Sequence, residues 1–206
     1  MSDNPNQQGE WLVQRIGKVT ASRVKAVVAR TTKKEYTAAR REYLIEIVTQ
    51  RLTGLQTPTF VNSAMQWGID QEGPARFAYI EHTGNDVELV GFIQHPTLMA
   101  GASPDALVGL EEGGVEFKCP SSVRHAETIL NGMPADHIPQ IQMQMWICNL
   151  KWVDFVSWDP RFPKQQALYI QRIQRDDKYI ESLEAEVRTF LAEVEQTIET
   201  LKEKCK

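Results

Sequence analysis

Asp105, preceded by Pro104, and the run Glu116-Phe117-Lys118 eleven residues further on supply two carboxylates and an ammonium. If the two segments lie on neighbouring strands, these groups converge at a place where a divalent ion can sit. Mg²⁺ prefers hard oxygen ligands and is usually held by one or two carboxylates, with waters and phosphates completing its shell. A nearby lysine can then position or deprotonate an attacking water. The chemistry such a set serves is phosphodiester hydrolysis. Pro-Asp is also a common turn pair, and Glu-x-Lys on a strand simply puts two charges on one face. The pattern alone therefore leaves a charged surface strand as the other reading.

Other residue types narrow the chemistry. His82, His95, His125 and His137 lack HExxH-type ligand spacing, so ordinary structural roles are expected for all of them. Cys119, Cys148 and Cys205 are odd in number, scattered and without CxxC spacing, which argues against a disulfide framework and a four-cysteine cluster. Cys119 follows Lys118, yet a buried, inert thiol is the expected state. Trp146, Trp152 and Trp158 are expected in the core rather than as base-stacking platforms.

The 206 residues, 42% hydrophobic and 24% charged, suit one globular domain with a polar N-terminal tail at 1–10 and a C-terminal helix from about 177 to 206. No apolar run is long enough to span a bilayer, and the polar start does not read as a signal peptide, so a soluble, cytoplasmic protein is expected. The net charge is −4, but it is unevenly spread. From Trp11 to Arg51 ten Lys or Arg face three acids, whereas Asp176 to Lys206 carries nine acids and five bases. Such asymmetry allows a basic face to meet phosphates while the far side repels them; solvated helix surfaces are the alternative.

The elements that must position these groups are legible as periodicities. A helix with a hydroxyl cap is expected over Thr20 to Val28, and a second from Tyr36 to Leu52, stopped by Gly54 and carrying its basic residues outside. Ala64 to His82 reads as a helix interrupted or kinked near Gly73-Pro74. Val87–Ile93, Leu98–Ser103 and Gly114–Lys118 read as short strands of an antiparallel meander. Helices at Ala126–Leu130 and Ile138–Cys148, strands at Trp152–Trp158 and Ala167–Ile173, and a long helix after Asp176 complete the chain. The apolar spacing of that last helix suits core packing.

Four groups of residues carry a resemblance: Trp11-Leu12-Val13-Gln14-Arg15 with Val19-Thr20-Ala21-Ser22; Trp67-Gly68-Ile69-Asp70-Gln71-Glu72; Ser103-Pro104-Asp105 with Glu116-Phe117-Lys118-Cys119-Pro120; and the glutamine-rich run Gln140 to Trp146. In this order and spacing they resemble the phage lambda exonuclease family, the YqaJ-type viral recombinases of the PD-(D/E)xK superfamily. The resemblance runs from Trp11 to about Tyr179. It implies an α/β (α+β) restriction-endonuclease-like core, a central mixed sheet flanked by helices. It also implies a metal-dependent 5′→3′ exonuclease that degrades one strand of linear double-stranded DNA to 5′-mononucleotides. The 3′ overhangs left behind would serve recombination by strand annealing. A homotrimeric ring around DNA, a single-strand annealing protein as partner and a bacterial host carrying a phage or prophage are implied as well.

By the same resemblance Asp105, Glu116 and the Phe117 carbonyl are metal ligands, Glu72 is an additional acid near a second ion, Lys118 assists the water, and Gln140 helps place the nucleophile or Lys118. Two Mg²⁺ ions per site are implied, with Mn²⁺ as a possible substitute, since both accept oxygen shells. Directionality needs a pocket for a terminal 5′ phosphate. Arg15 can contact phosphate oxygens bidentately, and Ser22 and Ser103 can donate hydroxyls; all three match the family's phosphate-binding positions. Plain alternatives are a surface ion pair for Arg15 and a helix cap for Ser22. Met65 could wedge into terminal base pairs and Arg124 follow the minor groove, against core packing and a surface charge. The competing enzyme is a sequence-specific or nicking endonuclease on the same core. The non-enzymatic alternative is a catalytically silent DNA-end-binding protein.

Overall fold

The computed structural model describes residues 12–58, 60–110 and 112–205, so Trp11 and the polar tail lie outside the described residues. After a helical turn at residues 12–15, the chain runs through strand β1 (Val19–Thr20), a 3-10 turn (Ala21–Arg23), helix α1 (Val24–Val28), helix α2 (Ala38–Thr53) and helix α3 (Ser63–Thr83). Strands β2 (Val87–Glu88), β3 (Ile93–Gln94), β4 (Ala100–Ala102), β5 (Ala106–Val108) and β6 (Gly113–Lys118) follow. Helices α4 (Ser122–Asn131) and α5 (Ile138–Ile147), strands β7 (Trp152–Trp158) and β8 (Leu168–Gln174), and helix α6 (Asp177–Lys204) close the fold.

Two sheets form, in the orders β1-β4-β3 and β2-β5-β6-β7-β8. The expected antiparallel meander is not what the strands build. β1 runs parallel to β4, and β6 runs parallel to β7. A parallel pair needs a long crossover, which α4 and α5 supply between β6 and β7. The run Val87–Ile93 divides between the two sheets as β2 and β3, and β5, unread in the sequence because it is three residues long, pairs with β6.

Side-chain alternation along β6 sets the layers. Val115 and Phe117 point to a core shared with Ala75 and Tyr79 of α3. Glu116 points to the opposite face, where Gln140 and Gln144 of α5 meet it. That same face of the sheet carries Leu107, Val153 and Phe155 against Ile141 and Met145 of α5. A third core gathers α1, α2 and α6, with Tyr43 stacked on Phe190 at 5.5 Å between ring centres.

Several local expectations change in the folded chain. Thr20 belongs to β1 and makes no side-chain cap, so the expected Thr20–Val28 helix shortens to a 3-10 turn and α1. Helix α3 continues through Pro74 without interruption. Helix α2 ends as expected, with Gly54 at φ 68° accepting the left-handed turn that L side chains resist. Its basic residues are not all outside: Arg40 is buried and makes a two-pronged ion pair with Glu193 of α6. Arg30 pairs with Glu186, and Arg51 with Glu195. The acidic C-terminal helix thus neutralises part of the basic N-terminal segment instead of standing on a far side from it.

One glycine is required by close approach. A Cβ on Gly101 of β4 would stand 2.2 Å from Phe92 Cζ and 2.6 Å from the Ile93 carbonyl oxygen. Backbone on one side and a ring on the other leave no room to shift. Gly101→Ala is expected to lower unfolding free energy in urea by about 1–3 kcal/mol, the usual cost of overpacking.

Candidate active site

Ser103, Pro104 and Asp105 form the junction between the two sheets: β4 of the small sheet ends at Ala102, and β5 of the large one begins at Ala106. Proline lacks an N–H for a ladder, which suits a residue where pairing stops. Asp105 N–H donates to the Val115 carbonyl at 3.2 Å, and Asp105 Oδ2 accepts from Phe117 N–H at 2.7 Å. The antiparallel β5–β6 pairing therefore brings Asp105 beside Glu116 although eleven residues separate them.

Glu116 is 2% exposed, and its two oxygens are gripped from three directions. Lys118 Nζ donates to Oε1, as does Gln140 Nε2 at 2.6 Å, and Gln144 Nε2 donates to Oε2 at 2.6 Å. Gln140 and Gln144 stand four apart on α5, hence on one face of the helix. Gln144 was missed in the sequence; an amide one turn after Gln140, inside the apolar helix 138–147, was the available signal.

Burial, then Glu116 and Glu72, push the Asp105 carboxyl well above the usual carboxylate range, against the opposing pull of Lys118 and the Phe117 N–H. For Lys118, burial works downward, but the charge and hydrogen bond of Glu116, helped by Asp105, prevail and raise the ammonium above its ordinary value. Cys119 is half-buried rather than buried, and its thiol is pushed up to about 12 by burial, then Glu72 and Asp105, which keeps it protonated.

Glu72, Asp105, Glu116, Phe117 and Lys118 line a cavity of about 1090 Å³. Met65 and Ile69 of α3 and Arg124 of α4 line it too, so Met65 and Arg124, the two DNA-contact candidates, border the same cavity as the carboxylates. The Phe117 ring itself packs in the core, edge-on to Tyr79 at 5.9 Å. His137 also faces this cavity, its imidazole held below the ordinary value by burial and then by Lys118. His125 is structural, bonded to Ser157 Oγ at 2.7 Å and the Gln166 carbonyl at 2.8 Å. Trp146, Trp152 and Trp158 pack against the cores as expected. The tripeptide Asp159-Pro160-Arg161 braces the site's edge: Arg161 pairs with buried Asp159, donates to the Pro120 carbonyl at 3.2 Å and lies 4.5 Å over the Trp67 ring.

Arg15, Ser22 and Ser103 also meet. Arg15 Nη1 donates to Ser103 Oγ at 3.1 Å, and Nη2 to Ser22 Oγ at 3.0 Å. The parallel register pairs Thr20 with Gly101, so both serines lie two residues beyond a matched pair and arrive at the same level. Gly17, at φ 70°, turns the chain back so that Arg15 can cover them. The Arg15 guanidinium lies 5.7 Å from the Phe92 ring centre, and burial holds its pKa below the ordinary value.

Among the described residues, no three His, Cys, Asp or Glu side chains are close enough to enclose an ion by themselves. The donor set nonetheless fits Mg²⁺ or Mn²⁺, which use one or two carboxylates and leave the rest of the shell to water and phosphate. The mutual repulsion of Asp105, Glu116 and Glu72 is what a divalent cation would relieve.

Comparisons with known proteins give the family and the fold. The model of the YqaJ-like viral recombinase domain matches residues 10–151. This chain belongs to that family. LHK-Exo, an alkaline exonuclease from Laribacter hongkongensis, is 47% identical, with 96% of this chain and 97% of that chain covered and a TM-score of 0.87. LHK-Exo in complex with dAMP gives 0.88 at the same identity and coverage. A phage related exonuclease from Haemophilus somnus 129PT, 16% identical over 89% of this chain and 96% of its own, shares the fold at a TM-score of 0.72. No curated protein matches the sequence. The mixed α/β fold is thus of the restriction-endonuclease-like kind expected for YqaJ-type proteins.

Because the folded state holds Asp105 above its unfolded value of about 4, the stability tied to this group is full below about pH 4 and is lost as pH rises through the folded value. Asp105→Asn in EDTA is therefore expected to raise Tm at pH 8, by about 2–4 °C for each kcal/mol relieved. The gain should shrink as pH falls toward 4. Thermal scans of both proteins across that range check the sign.

Proposed function

We propose that this chain is a divalent-metal-dependent 5′→3′ exonuclease on linear double-stranded DNA, releasing 5′-mononucleotides and leaving 3′ overhangs for phage-type recombination by strand annealing. One observation carries this reading: Ser103 of the Arg15 cluster and Asp105 of the carboxylate cluster are separated only by Pro104. A group that holds a terminal phosphate is thereby tethered to the group that sees the bond to be cut. The 47% identity to an alkaline exonuclease, and that enzyme's complex with dAMP, support the same reading.

Divalent ions held by Asp105, Glu116, Glu72 and the Phe117 carbonyl would stabilise charge on the attacking and leaving oxygens and acidify a bound water. The chain's own residues do the rest. Lys118, kept cationic by Glu116, serves as a positioned donor to the water rather than as its base. Gln140 shares Glu116 Oε1 with Lys118 and so fixes where that ammonium points. Arg15 can exchange its two serine oxygens for phosphate oxygens in bidentate fashion, and Ser22 and Ser103 then line the phosphate as hydroxyl donors. Met65, 46% exposed on the cavity wall, can press on the terminal base pairs, with Arg124 following the groove. A homotrimeric ring and an annealing partner belong to the same reading.

Lys118→Ala is expected to lower the Mg²⁺-dependent release of acid-soluble nucleotides from linear duplex by about a hundredfold or more. Unchanged release would remove Lys118 from the mechanism. Wild-type protein should digest 5′-phosphorylated ends faster than 5′-hydroxyl ends, and Arg15→Ala should cut that preference by about tenfold, the worth of a charge-assisted phosphate contact. Equal initial rates on both ends would remove the phosphate pocket, and degradation of closed circles would favour an endonuclease.

A further inference from the structure

Helix α5 buries two glutamines, and they are not equivalent. Gln142 is satisfied at both ends by backbone: its Nε2 donates to the Gln174 carbonyl at 3.0 Å, and its Oε1 accepts from Asp176 N–H at 3.0 Å. It ties α5 to the start of α6. Gln144 is fully buried, and its Nε2 donates to Glu116 Oε2, but its Oε1 has no partner among the described residues. The amide cannot be reversed, because that would set two acceptors 2.6 Å apart. An orphaned buried carbonyl is destabilising, because it gives up its hydrogen bonds to water and gains none in return. Packing alone does not require an amide here, since a methionine fills about the same volume; what the amide adds is its bond to Glu116 Oε2.

We propose that Gln144 is a positioning residue for the Glu116 carboxylate, an inference that rests on the metal-dependent reading above. By binding Oε2, it leaves Oε1 to Gln140 and to Lys118, which lines the cavity. Glu116 then presents one defined oxygen to a divalent ion instead of rotating between its two. The carboxylate is held at both oxygens, Oε2 by Gln144 and Oε1 by Lys118 and Gln140. Groups behind a metal ligand typically change ion affinity by about 10–100-fold when removed.

Three measurements on the full chain test this: calorimetric titration with Mn²⁺ alone, thermal unfolding in EDTA, and steady-state digestion of linear duplex. Gln144→Met removes the orphan carbonyl together with a donor to the buried Glu116 carboxylate, and the second loss is the larger, so Tm in EDTA should fall. It should bind Mn²⁺ about tenfold more weakly and lose kcat with little change in KM. Gln142→Met should lower Tm as well but leave Mn²⁺ affinity and kcat intact, which separates placing Glu116 from merely holding helix α5. Gln144→Asn, which keeps the amide but retracts it by one methylene, should weaken Mn²⁺ binding in the same direction and stands in if the methionine variant does not fold. Equal Mn²⁺ affinity and kcat in wild type and the Gln144 variants would overturn the role of Gln144 alone. A wild type that takes up no Mn²⁺ would overturn the metal-dependent reading and this inference with it.

Discussion

The structure is organised around a buried negative charge. A lone carboxylate at the depth of Glu116 costs several kcal/mol in lost solvation. It is tolerable because Lys118, Gln140 and Gln144 donate to it, and hydrogen bonds to a charged group are about twice as strong as neutral ones. Each donor is fixed by something else. Lys118 shares a strand with Glu116, and β6 is locked by its full pairing with β7. The glutamines ride on α5, which is pinned by Ile141, Met143 and Met145 in the apolar cores. Core packing thus converts hydrophobic burial into the placement of one carboxylate.

The second constraint is the join between the sheets. Strand β4 is paired on both edges in the small sheet, and β5 on both edges in the large one. Ser103-Pro104-Asp105 spans the gap with no slack. Whatever is bound through Ser103 must therefore stand in a constant relation to whatever is bound through Asp105. For the exonuclease proposed above, such a join would let backbone geometry rather than a flexible arm set the register of the cut.

Away from the site, charges serve packing. Arg40, sandwiched between Tyr36 at 3.5 Å and Phe190 at 5.1 Å, answers Glu193 on α6. The terminal helix closes over α1 and α2 through such pairs and through a continuous stripe of Leu183, Val187, Phe190, Val194 and Ile198. This explains why an uneven charge distribution along the chain does not become an equally uneven surface.

Much was legible without coordinates. The periodicities located α2, α3, α5, β6, β7, β8 and α6 to within a few residues, because long apolar stripes have few alternatives once water must be excluded. Chemistry restricts which side chains can hold a divalent ion, which made Asp105, Glu116 and Lys118 legible; the family resemblance added Glu72 and Gln140 to that set and matched Arg15, Ser22 and Ser103 to phosphate-binding positions. The short strands β1 to β5 were not legible in the same way. Two or three residues carry no period, and their pairing depends on partners far away in sequence. The parallel register that levels Ser22 with Ser103, and the neutralisation of Arg30, Arg40 and Arg51 by α6, are likewise long-range facts. Gln144 shows the division most plainly. Its sequence says only that an amide lies within an apolar helix; that its nitrogen meets Glu116 while its oxygen finds no partner among the described residues is decided by how that helix docks on the sheet. Residue type limits what chemistry is possible, but distance and burial determine which partner a polar atom finds.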